Sequence, residues 1–234
     1  MNQYFKQSKF LLFLVLLLPF IGQAQTPYHI KKQLFQDPFN TTLDTTNWFC
    51  ELKQKPNNRA FVENGQLIID VADGATVWLK RKLKDKWMIE FDRTVAMQGG
   101  KNDRLSDFNI FWQATDPLSK KLFGRDPDFA HYDSLSLYYI GFGGNTNTTT
   151  RFRKYQGNGE RTLLQEYADT AHLLEADKTY HCRLVMLRDT MLFYVNDVLF
   201  FTYKDAKPLK NGYFGFRTTQ SRHLIDNFKL YRIK

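Results

Sequence analysis

From residue 33 onward the chain is a succession of short runs in which apolar and polar residues alternate, broken by turn residues. No stretch carries the three-and-four apolar spacing of a helix of several turns. The alternation predicts strands at 59–63, 66–71, 76–80, 87–97, 107–113, 135–142, 148–155, 180–187, 191–195, 198–203, 212–217 and 223–231. A dozen strands at such close spacing predict an all-β protein, a two-sheet antiparallel β-sandwich or jelly roll. Asn64-Gly65 and Asn196-Asp197 each separate two apolar runs and tolerate positive φ, so each predicts a tight hairpin. The longest irregular region, 116–133, contains Pro117, Gly124 and Pro127. Leu122, Phe123, Phe129 and Tyr132 give it something to pack with, which predicts a lid or rim loop.

Strand alternation also sorts candidate residues by face. In 107–113, Phe108, Ile110 and Trp112 point to a core, leaving Asp107, Asn109, Phe111 and Gln113 on the other side. An acid, two amides and an aromatic ring in one row suit a sugar, whose hydroxyls need paired donors and acceptors and whose CH faces stack on rings. In 148–155, Arg151, Arg153 and Tyr155 share a face. Two parallel arginines repel unless an anion lies between them, and either a uronate carboxylate or an internal partner such as Asp107 or Glu166 would serve. The stretch from Tyr138 to Tyr155 contains the turn Gly143-Gly144-Asn145, which backbone geometry alone can explain. Tyr138 and Tyr139 must face opposite ways, and the four tryptophans are expected in the core. His131, at the end of the long loop and just before the Tyr-Tyr strand, is the best placed of five histidines for proton transfer.

Residues 1–24 combine Lys6 and Lys9, an apolar run from Phe10 to Ile21, and the small residues Gly22 and Ala24. They are expected to be a cleaved signal peptide, leaving residues 25–234 as one periplasmic or secreted domain with no stable membrane anchor. Removing the leader lowers the formal charge from +9 to +7, a modest basic excess, and an exported chain is not expected to bind nucleic acid. Export permits a disulfide between Cys50 and Cys182, but the apolar pattern around Cys182 favours a buried free thiol. No cofactor and no metal is expected, because neither Asn102-Asp103 nor Asp126–Asp128 makes a calcium loop.

Several segments together resemble the concanavalin A-like lectin/glucanase superfamily: Phe39-Asn40 with Leu43-Asp44 and Trp48, the Val62–Leu67 and Phe193–Asp197 hairpins, and the run Leu224–Tyr231. More narrowly, the Tyr-Tyr, Gly-Gly-Asn and Thr-Thr-Arg segments are similar to an exported Bacteroidetes domain family, and more distantly to 3-keto-disaccharide hydrolase domains. The resemblance implies a concave groove for a glycan and a role in polysaccharide metabolism.

A retaining glucanase of that superfamily would carry Glu-x-Asp-x-x-Glu on one strand. Here Glu90-Phe91-Asp92 is followed by Arg93, Thr94 and Val95, so the second glutamate is missing. A lyase would need a neutralising group, for which Arg151 or Arg153 with Asn109 or Gln113 are suited, and proton-transfer groups, for which Tyr138 or His131 are suited. The candidate catalytic residues are therefore His131, Tyr138 and Asp107. The candidate substrate contacts are Asn109, Phe111, Gln113, Asn145, Arg151, Arg153 and Tyr155. The expected activity is binding and cleavage of an oligo- or polysaccharide, with or without uronic acid, by hydrolysis or lyase chemistry. A non-catalytic lectin or carbohydrate-binding module is the competing reading.

Overall fold

The computed structural model describes residues 28–119 and 121–234, so the expected leader lies outside the described residues. Thirteen strands follow in order: β1 (Ile30–Asp37), β2 (Trp48–Leu52), β3 (Arg59–Glu63), β4 (Gln66–Leu79), β5 (Trp87–Val95), β6 (Phe108–Thr115), β7 (Ser136–Gly143), β8 (Thr149–Gln156), β9 (Arg161–Tyr167), β10 (Thr179–Leu187), β11 (Thr190–Val195), β12 (Val198–Lys204) and β13 (Tyr213–Ile233). Among the described residues no helix is long and apolar enough to cross a membrane.

The strands form an antiparallel sandwich whose two sheets share strands β4 and β13. In the front sheet, β2 pairs with the second half of β4, which pairs with the first half of β13, followed by β6, β7, β8 and β9. In the back sheet, the second half of β13 pairs with β5, followed by β10, β11 and β12, while β1, the first half of β4 and β3 lie on its other side. The partner of β13 changes from β6 to β5 around a register shift between Thr219 and Ser221. Such bulges let one strand bend from one sheet into the next.

The two predicted hairpins are present, with Asn64 and Gly65 at φ 52° and 75° and Asn196 and Asp197 at 49° and 64°. Strands predicted separately at 66–71 and 76–80 are one, as are 212–217 and 223–231. Strands β1, β2 and β9 lie outside the predicted set. Each pairs with a single neighbour, and their half-exposed side chains blur the alternation that marks a buried strand.

The inter-sheet core is aromatic. Phe216 and Phe228 pack on Trp48, Phe91 packs edge-on against Phe216, and Trp112 stacks on Tyr138 and leans on Phe152. A charged brace crosses this core. Fully buried Arg93 of β5 donates to His223 Nδ1 (3.0 Å), to the Asn109 carbonyl (2.8 Å) and to the Arg217 carbonyl (3.1 Å). Burial, then the Arg93 charge, holds His223 well below its usual pKa, so the imidazole is neutral. With Nδ1 accepting, Nε2–H donates to Thr218 Oγ1 at 2.8 Å.

At the other end of the core, Asp205 accepts from Tyr138 Oη and Lys154 Nζ, both at 2.6 Å. Burial alone would raise the Asp205 carboxyl, but the hydrogen bonds from Lys154 and Tyr138 outweigh it and hold the pKa low. A carboxylate depressed in the folded state contributes stability above its unfolded value of about 4 and loses it as pH falls through the folded value. We therefore expect urea melts between pH 7 and pH 3 to show stability falling below about pH 4, with a shallower fall in Asp205→Asn. Equal slopes would mean that the cluster does not set acid stability. Cys50 and Cys182 are both free, on β2 and β10 in different sheets, and burial pushes both thiols up, Cys50 to about 11.

Candidate functional site

The outer face of the front sheet is divided by the long loop. Leu122, Phe123, Phe129, Tyr132 and Leu135 pack onto Trp78, Phe111 and Tyr139, forming a second apolar cluster outside the main core. The polar centre of this attachment is Glu51 on β2, itself buried. Its carboxylate accepts from Trp78 Nε1 (2.9 Å), Tyr132 Oη (2.7 Å) and the backbone N–H groups of Gly124 (3.0 Å) and Arg125 (3.1 Å). Arg125 then ties to Asp116, and Arg161 of β9 to Asp133. The expected lid or rim loop is thus a rim held down by fixed bonds.

The half of the face that the loop leaves open is a pocket of about 250 Å³. This is close to the small end of the roughly 300–1,000 Å³ typical of ligand sites. Its floor is Asn109 of β6 with Tyr139 and Gly141 of β7; Tyr139 Oη donates to Asn109 Oδ1 at 3.0 Å. Any side chain at Gly141 would overlap the Tyr139 hydroxyl, so glycine keeps the floor open. Arg151 and Arg153 of β8 form one wall with Thr149 and Asn145, while Asp107 and Thr219 form another. Phe129 from the loop completes the lining.

The charges in this pocket are unevenly matched. Asp107 is ion-paired with Arg104, and Arg151 with Glu166, the internal partner considered from the sequence. Arg153 has no carboxylate partner among the described residues, and its guanidinium lies 6.0 Å from the centre of the Tyr139 ring. Asp107 is the one carboxylate in the pocket lining. Burial pushes the Tyr139 hydroxyl far above the ordinary tyrosine value, so it is a protonated donor.

Asp107, Asn109, Asn145, Arg151 and Arg153 converge on this pocket, and five other candidates do not. Tyr138, chosen as a catalytic residue, faces the inter-sheet core and is fully buried there; its neighbour Tyr139 is the one on the pocket floor. Phe111 is on the expected face but is sealed between Trp78 and Tyr132 beneath the loop. Gln113 sits at positive φ where the β6–β7 register shifts, and its side chain accepts from the Gly212 N–H at 2.8 Å, away from the pocket. Tyr155 is buried beside Tyr139, and burial pushes its hydroxyl up to about 12 against the pull of Arg161 and Arg153.

His131 stands on the exposed outer side of the loop rather than in the pocket lining. With Asp126 and Asp128 it could reach a single cation, but the Lys53 ammonium already occupies that position, 2.5 Å from Asp128 and 3.9 Å from Asp126. Glu90 and Asp92 lie on the back sheet, paired with Arg183 and His181.

Sequence reasoning missed Tyr139, Thr219 and Phe129 as pocket residues. The signal for Tyr139 was its alternation with Tyr138, which separates the two faces without saying which face is open.

A family model, Domain of unknown function (DUF6250), matches residues 69–228. The chain belongs to the DUF6250 family. No curated protein sequence matches the chain. Among solved structures, this DUF6250 chain is similar to a protein of unknown function with a galectin-like fold from Bacillus subtilis, with a TM-score of 0.72 and 17% identity over 88% of this chain and 98% of the other. It is also similar to the carbohydrate binding module CBM66 from Bacillus subtilis (TM-score 0.56, 15% identity, 81% and 98% covered). A third similar structure is an endo-β-1,3-glucanase from Pyrococcus furiosus (0.60, 9%, 88% and 95%). At these identities the likeness establishes the fold, a concanavalin A-like jelly roll, and leaves activity to the site itself.

Proposed function

We propose that the concave pocket binds the end of an acidic glycan and holds it without cleaving it. The observation that carries this reading is Arg153, a guanidinium with no carboxylate partner among the described residues, in a pocket whose floor offers an amide, a tyrosine and a glycine-opened surface. A uronate carboxylate would supply the missing charge through paired N–H donors, and the sugar ring would meet Tyr139 and Asn109. The small volume favours a chain end over an internal segment. Structural similarity to a carbohydrate binding module and a glucanase supports a carbohydrate as the ligand. The leader expected at residues 1–24 would deliver this binding to the periplasm or beyond.

Holding rather than cleaving follows from what the pocket lining lacks. Glycoside hydrolysis works with two carboxyl groups flanking the bond. Here Asp107 is neutralised by Arg104, and nearby Glu166 is committed to Arg151. Lyase chemistry needs a base, but Tyr139 is held protonated and no histidine is in the pocket lining. The test is calorimetric titration with a panel of neutral and uronic-acid oligosaccharides, followed by assay for reducing ends and unsaturated products. Binding of acidic members without products is expected. Products would overturn the non-catalytic reading, and absence of binding across the panel would overturn the glycan reading.

A further inference from the structure

Two arginines are buried as deeply as any side chain in this protein, and they are satisfied very differently. Arg93 has its Nε and both terminal nitrogens each donating to an acceptor. Arg217, opposite Asn109 on β13, donates from one terminal nitrogen to Thr219 Oγ1 at 3.1 Å. Its Nε and other terminal nitrogen have no hydrogen-bond partner among the described residues. Asp107 and Glu51 act on its charge only from a distance. A buried guanidinium left in this state is costly, and sequences retain such a cost where something else completes the group.

The Arg217 guanidinium lies directly behind two residues of the pocket lining. Thr219, its one acceptor, lines the pocket, and so does Phe129, whose ring centre is 5.5 Å from the guanidinium. A second ring, Tyr132, lies 5.0 Å away but is locked by its bond to Glu51. Phe129 is half-buried at the margin of the second apolar cluster, with Arg161 4.6 Å from its ring centre and the Tyr139 ring at 5.9 Å. Opposite, Gly74 gives the guanidinium room, since a Cβ there would collide with it and with the Pro127 carbonyl.

We propose that Arg217 is a second, deeper anion-binding group of this pocket, uncovered when the Phe129 ring turns aside, so that an acidic ligand held at Arg153 also reaches Arg217. This inference rests on the acidic-glycan reading above for the identity of the ligand, and on the orphaned N–H groups for the site. Phe129 then lowers apparent affinity by the fraction of time it keeps the site covered.

The test is a titration of ¹⁵N-labelled protein with sodium D-glucuronate and, separately, with sodium sulfate, following the arginine Nε–H signals of Arg153 and Arg217. Glucuronate is expected to move both signals in the wild type. Phe129→Ala is expected to bind glucuronate about fivefold more tightly because the cover is gone. Adding Arg217→Lys to Phe129→Ala should weaken binding about tenfold through the lost paired donors. If glucuronate moves Arg153 while Arg217 stays still even in Phe129→Ala, the proposal is overturned. If no sugar binds but sulfate moves Arg217 in Phe129→Ala, the anion site stands and the glycan reading falls. No response of Arg217 to either probe overturns the site itself.

Discussion

Replacing Glu51 by alanine is expected to release the rim loop and cost about 3–5 kcal/mol of stability. Four donors converge on that one carboxylate: an indole, a phenol and two backbone amides. Truncation strands all four in a place where water reaches poorly, and each buried donor left unmade costs roughly 1–3 kcal/mol. Relaxation of the loop recovers part of this, which is why the total falls short of the sum. Tyr132 also bonds Thr76, so the loss spreads from the loop into β4. The variant should show a lower urea midpoint and faster hydrogen exchange at the Gly124 and Arg125 amides, with β10–β12 amides slowed as before. Unchanged protection at those two amides would show that the apolar contacts of Phe123 and Tyr132 hold the loop without Glu51.

Arg153→Ala should weaken binding of an acidic oligosaccharide about 10- to 100-fold, the range for losing a charge-assisted hydrogen bond of roughly 1.5–3 kcal/mol. Stability should change by no more than about 0.5 kcal/mol, because the side chain is half-exposed and has no ion-pair partner among the described residues. Arg153→Lys should fall between, keeping the charge and losing the planar fork. Raising the salt concentration should weaken the wild type more than the alanine variant. A binding isotherm for Arg153→Ala that overlays the wild type would remove the residue from the site, and a large drop in its urea midpoint would assign it a structural role.

What could be read from the sequence was what local chemistry decides. Asn64-Gly65 and Asn196-Asp197 announced their hairpins because only residues tolerant of positive φ fit there, and the sandwich followed from counting alternating runs. The alternation of Phe108, Ile110 and Trp112 against Asn109 and Phe111 was also correct. It could not reveal that a loop from a different part of the chain covers Phe111 and stops short of Asn109. The Tyr138 and Tyr139 pair shows the same limit, since both faces of β7 are largely buried, one by the opposite sheet and one by the loop and pocket wall. Gln113 was misplaced by a register shift that periodicity does not announce. Arg217 closed an otherwise apolar predicted strand at 212–217, and a charge in such a run is a signal that could have been weighed.

Strand β13 has a consequence for how the protein comes into being. It pairs with β1, β4, β5 and β6, so it supplies a central member to both sheets, yet it lies furthest along the chain of all the strands. Until it emerges during synthesis, β5 and β6 have no common neighbour and β4 lacks its longest pairing. Closure must therefore wait for contacts between residues more than a hundred positions apart, which makes folding slow. During that delay the edges of β4, β5 and β6 that β13 will cover stay unpaired and open to the wrong partner.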